Sequence, residues 1–342
     1  MREARFLKIN AAKWERFDQE LSIDPDPDLV ATRFIELTDD LAFARTFYPG
    51  SRTVSYLNSL AARFHRLIYK NKKEKISRFP AFWKYELPLL MYIHRRQLYV
   101  AFLFFLVFCL IGWVSASRDD SFIRLILGNG YVNMTNANIT KGDPFGVYRQ
   151  GNPFNMFLYI AYHNISVSFT TFVLGILGSA GTLCMMFYNG IMLGSFEYYF
   201  FAHHLGGKSI TVIFIHGTLE ISAMVIAGCA GLILGNSLLF PGTYSRLTSL
   251  RRGVKDGLKM VIGIVPVFLI AAFFEGFVTR HIGMPLWLRF SILFGSVSGV
   301  IWYFIIYPGL LYKRVRQARG AEKPNREEKL DLWISKNWNF VK

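Results

Sequence analysis

Six apolar runs, roughly 98–117, 155–178, 182–202, 210–235, 258–277 and 287–311, approach or exceed the ~20 residues with which a helix crosses a bilayer core. Of the chain's 342 residues, 52% are hydrophobic and 16% aromatic. The expected fold is therefore all-α: a polytopic six-span helical membrane bundle with an N-terminal cytosolic helical domain.

The net charge of +16 raises the question of nucleic acid, but its distribution argues against it. Lys and Arg crowd the segments beside the apolar runs, where they orient the protein and meet anionic lipid headgroups. The first 97 residues hold 18 of them, the stretch from Lys313 holds 9, and 236–257 holds 4. The alternate segments are poorer: 118–154 holds 4 over a longer stretch, 203–209 only Lys208 and 278–286 only Arg280. All the rich segments fall on one side of a six-span bundle, so both termini are expected in the cytoplasm. The first residues carry no apolar signal-peptide core, so the first span is expected to direct insertion. Cys109, Cys184 and Cys229 all lie in apolar runs and read as small hydrophobes rather than a disulfide framework.

Residues 1–75 read as the cytosolic domain. Phe6, Ile9, Trp14, Phe17 and Leu21 recur at helical spacing, as do Leu29, Phe34, Leu37, Leu41 and Phe43. Asp24-Pro-Asp-Pro-Asp28 separates these two helices, and a third is expected from about Val54 to Tyr69, before the charge run Lys70–Lys75. Residues 76–97, rich in aromatics and closing on Arg95-Arg96, suit an amphipathic helix in the membrane interface. The transmembrane domain then covers 98–311, with an outer loop at 118–154. A basic tail, 312–342, carries Trp333 and Trp338 and is expected to return to the inner surface.

The fourth run contains His216 and Glu220 near its centre. Four residues apart, they share one helix face, and an ionisable group at that depth costs about 2.5–3.5 kcal/mol even on lenient scales. That face is expected to look into the protein. His163 and Asn164 in the second run, Asn189 in the third, and Glu275 and Arg280 at the end of the fifth lie at compatible heights, so a single buried polar cluster follows. Three chemistries fit it. Asn, His and Glu can form an interhelical hydrogen-bond network; His163, His216 and Glu220 can ligate a divalent metal such as zinc; or a His/Glu pair can relay protons. No HExxH motif and no marked nucleophile is present. Gly175, Gly178, Gly181, Gly228, Gly231, Gly235, Gly295 and Gly299 supply close-approach faces, for packing within the bundle or for a homodimer.

These residues carry a family resemblance. His216-Gly-Thr-Leu-Glu220 with Ala227-Gly-Cys-Ala-Gly231, Asn189-Gly190, Leu239-Phe-Pro-Gly-Thr-Tyr244, Glu275-Gly-Phe-Val-Thr-Arg280 and the outer stretch Tyr131–Tyr148 are similar to stage II sporulation protein M and its relatives. The similarity runs over roughly residues 1–315. It implies a multi-pass protein of the bacterial inner membrane. In sporulating bacteria the family member is a scaffold that brings together peptidoglycan-degrading partners during engulfment. This chain departs from the short sporulation form in its longer front, its basic tail, and His163-Asn164 where relatives often carry two asparagines. The expectation is a non-enzymatic scaffold recruiting envelope partners; the alternatives are an intramembrane metal-dependent hydrolase and a transporter.

Overall fold

The computed structural model of the protein describes residues 2–20, 27–68, 78–149, 151–281 and 283–320. Those residues form helices, turns and short connections with no strand among them. The chain divides into two compact units, Met1–Arg78 and Phe79–Lys342.

The first unit holds α1 (Glu3–Glu20), α2 (Pro27–Phe47) and α3 (Arg52–Ile68). Phe6, Trp14, Phe17, Leu37, Leu41, Leu57, Leu60 and Phe64 bury one face of each helix in a common core. The Trp14 indole donates to Asp40 at 2.8 Å, so this buried aromatic does not leave its N–H unpaired. Ile9 and Leu29, both expected inside, are exposed. At 100° per residue Ile9 sits about a quarter turn from the centre of the Phe6–Trp14–Phe17 stripe, which is wide enough to satisfy a helical pattern and still face out. The Asp-Pro hinge up to Asp26, Leu21, the Lys70–Lys75 run and the tail with Trp333 and Trp338 lie outside the described residues.

At the start of the second unit stands a short helical segment: α4 (Arg78–Ala81), whose first residue closes the first unit, a π turn (Phe82–Glu86) and α5 (Leu87–Ile93). Then follow α6 (Arg95–Arg118), α7 (Asp120–Leu127), α8 (Asn129–Thr140), a 3-10 turn (Gly146–Arg149) and α9 (Pro153–Val173), which closes in a second 3-10 turn (Leu174–Leu177). The remainder is α10 (Ala180–Ala202), α11 (Gly206–Leu239), α12 (Arg246–Phe273) with a π turn (Phe274–Val278), and α13 (Leu286–Ile301) running through a third π turn (Trp302–Ile306) into α14 (Tyr307–Gly320).

Five of these helical stretches are long and apolar enough to cross a membrane: 95–118, 153–177, 206–239, 246–278 and 286–318. This is a multi-pass membrane protein fold. α10 coincides with the remaining predicted span but is not among the five; Asn189, Glu197 and three tyrosines interrupt its apolar run. It gains its place by contact instead. A Cβ on Gly190 would run into Phe108, and one on Gly194 into the Cys109 carbonyl, so glycine lets α10 lie directly against α6.

α11 forms the centre, buried from Ala223 to Gly235, with α6, α9, α10, α12 and α13 around it. Segment 78–93 is built into this bundle: Leu87, Leu90 and Met91 join the main core, and Leu89 meets Leu311 and Val315 of α14. Its polar groups are matched too. Glu86 pairs with Lys259, the Trp83 indole donates to the Gly263 carbonyl at 3.0 Å, and the Tyr303 hydroxyl donates to the Trp83 carbonyl at 2.6 Å. At the other end of the bundle, α7, α8 and the turn at 146–149 fold back onto α10 and α11. Ile123, Val132 and Phe145 are buried against Phe200 and Val212, and the Tyr199 hydroxyl donates to Asn136 at 2.5 Å.

Candidate polar site within the bundle

Three helices converge near the α7–α8 end. α9 starts sharply: Asn152 caps it by accepting from the amide of Phe154 at 2.8 Å, and Pro153 occupies the first helical position, where a missing N–H costs nothing. The π turn after α12 approaches this start closely, since a Cβ on Gly276 would lie 3.2 Å from the Pro153 carbonyl. α11 runs between the two and contributes both His216 and Glu220 from one face.

The side chains join into one network. Asn164 Nδ2 donates to Glu220 Oε1 at 2.6 Å. Glu220 and Glu275 each bring a carboxylate oxygen within 4.8 Å of the other. His216 Nε2 lies 3.9 Å from Glu275 Oε2, beyond a hydrogen bond. On the other side of the ring, His216 Nδ1 is 3.1 Å from the hydroxyl of Thr279. The Thr279 hydroxyl also reaches the Phe274 carbonyl at 3.1 Å, across the π turn. Tyr148 stands edge-on to the His216 ring with centroids 5.7 Å apart, and burial beside Glu275 pushes its phenol well above the ordinary range, so it remains a neutral phenol. Arg280 donates to the carbonyls of Arg149 at 2.8 Å and Gly151 at 3.0 Å, fastening the entry to α9.

His216, Glu220 and Glu275 each offer one ligand atom, all within 4.8 Å of one another. The remaining residues named from sequence take other places. Asn189, whose amide also donates to the Met185 carbonyl at 2.8 Å, lines a cleft of about 160 Å³ with His163, Asn164 and Glu220. His163 is exposed at its rim and stacks on Tyr159, apart from the three converging groups.

A family model described as stage II sporulation protein M matches residues 101–280, a stretch that contains every one of these side chains. The chain belongs to the stage II sporulation protein M family. The matched stretch is shorter than the similarity read along the sequence, and the front is separate: residues 4–70 match a domain of unknown function (DUF8413). No curated protein and no solved structure matches the chain.

Sequence reasoning passed over Thr279 and Tyr148, although both stand in the stretches that carry the family resemblance. It also missed Glu197 on α10, which is 7% exposed, accepts from Ser209 at 3.0 Å and keeps its other carboxylate oxygen buried without a partner. The signal was a carboxylate inside an apolar run. Its place near the helix end, where charged groups often reach the headgroups, hid it.

Proposed function

We propose that this family member is a non-enzymatic scaffold of the bacterial inner membrane, with α10 as a sixth span and both termini cytoplasmic. On this reading α7 and α8 face outward and hold envelope proteins that remodel peptidoglycan, while residues 1–78 serve cytoplasmic partners. The observation that carries it is the folded state of the 119–149 segment. A loop joining two spans needs only a few residues; here two helices are clamped onto the bundle by Phe145, Phe200 and the Tyr199–Asn136 bond. Their free face presents Leu125, 77% exposed, beside Arg124, whose guanidinium is set by Asn129 and Asn133. A fixed face with one protruding apolar side chain and a preset cation suits docking, because little order is lost on binding.

A photo-crosslinking residue placed at Leu125 in living cells tests this. The expected product is a wall-hydrolysing envelope protein, captured at least tenfold less when Asn133→Ala and Arg124→Ala are added. Crosslinks confined to lipid, or capture indifferent to those changes, would reject the scaffold reading.

A further inference from the structure

The polar site has an imbalance that its own hydrogen bonds do not resolve. A threonine hydroxyl has one proton to give. Thr279 directs its proton to the Phe274 carbonyl, so its oxygen must accept from His216 Nδ1–H. With its proton on Nδ1, a neutral imidazole presents a bare lone pair at Nε2. His216 is 3% exposed, and among the described residues the polar group nearest to Nε2 across the site is Glu275 Oε2 at 3.9 Å. Glu275 in turn has a carboxylate oxygen within 4.8 Å of one on Glu220.

Among the described residues no Lys or Arg forms an ion pair with either carboxyl group, and Arg280 directs one amine to the 149 and 151 carbonyls. Asn164 donates to the oxygen of Glu220 that it orients. Three polar groups therefore converge from two helices, His216 buried and the two carboxyls partly buried. Buried acceptors left facing each other are costly unless a cation or protons come between them.

We propose that His216 Nε2, Glu220 and Glu275 bind one first-row divalent cation, with Asn164 and Thr279 orienting the ligands. One imidazole and two carboxylates are a nitrogen–oxygen donor set suited to Zn²⁺, Mn²⁺ or Fe²⁺, and two carboxylates balance its charge. Zinc sits about 2.0–2.2 Å from such ligands, which places tetrahedral ligand atoms about 3.3–3.6 Å apart; the three atoms, now within 4.8 Å of one another, would close on it by up to about 1 Å, within reach of side-chain rotation. The support is in place: the second nitrogen of a ligating histidine normally donates to a fixed oxygen, as His216 does to Thr279. The cleft lined by His163, Asn164 and Asn189 reaches Glu220 and provides an approach. This inference stands apart from the scaffold reading and from any docking at α7–α8.

The test uses the full chain purified in mild detergent, stripped with chelator and titrated with ZnCl₂, reading bound metal by elemental analysis and unfolding by heat. One zinc per chain and a zinc-dependent rise in Tm are expected. Glu275→Gln should weaken uptake at least tenfold, whereas His163→Ala should bind as the parent does. Tight uptake of Mn²⁺ or Fe²⁺ with the same dependence on Glu275 supports the site equally. Should Glu275→Gln fail to fold, Co²⁺ loaded into the parent protein provides the second readout, with visible d–d bands that zinc abolishes. No stoichiometric uptake of any of these ions, or no cobalt bands, overturns the proposal.

Discussion

Asn164 on α9 donates to Glu220 on α11 at 2.6 Å, and eleven residues further along each chain Gly175 meets Gly231 backbone to backbone. One contact is polar and the other steric, and both join the same two helical segments.

The polar contact predicts a graded response. Asn164→Leu removes the donor and leaves a buried carboxyl oxygen unpaired, at a cost of about 1–3 kcal/mol. Asn164→Gln keeps a donor on a longer arm and should cost less. Thermal unfolding of the detergent-solubilised protein reads both, and equal melting temperatures for parent and Asn164→Leu would show that the bond contributes nothing.

The glycines separate into two classes. A Cβ at Gly175 or Gly231 would strike backbone or the Thr182 hydroxyl, whereas Gly295 and Gly299 on α13 have nothing within 4 Å. Gly175→Ala should therefore destabilise by about 1–3 kcal/mol, as overpacking does. Gly295→Ala should be neutral in the isolated chain. A melting temperature lowered by Gly295→Ala would point to a packed surface on α13 that the single chain does not contain.

Near the opposite end of the bundle, Lys259 of α12 pairs with Glu86, whose side chains are 25% and 11% exposed. Removing one partner leaves a largely enclosed charge, so Lys259→Met is expected to cost about 3 kcal/mol, the low end of the range for buried pairs. The double change Lys259→Met with Glu86→Leu should recover most of that loss. A double-mutant cycle on unfolding temperature measures the coupling, and a double variant as unstable as the single would contradict the pairing.

Much of this was legible in the chain. Apolar length marks the long helices because lipid forces each backbone group to bond within its own segment. The His216–Glu220 spacing marks one face, and depth along each run puts Asn164 and Glu275 at compatible heights in the outer half. Two things escaped. His163 and Asn164 are neighbours in sequence, yet 100° of helical turn sends one inward and the other to the rim, and sequence spacing alone does not say which. Thr279 gains its role from a π turn, whose wider winding is not written in any residue pattern. Segment 78–93 has the aromatics of a surface helix, and its burial against α12 and α14 depends on partners more than 160 residues away.

The two contacts between α9 and α11 also work as a gauge of length. Both pair residues exactly 56 positions apart, and the eleven residues between them make close to three full turns, so both contacts fall on one stripe. Adding or removing one residue between them in either helix would turn one contact about 100° away while leaving the other in place. Substitutions along that stretch change how tightly the helices fit, but a single insertion breaks their alignment, which makes the count of residues there as much a part of the specification as their identity.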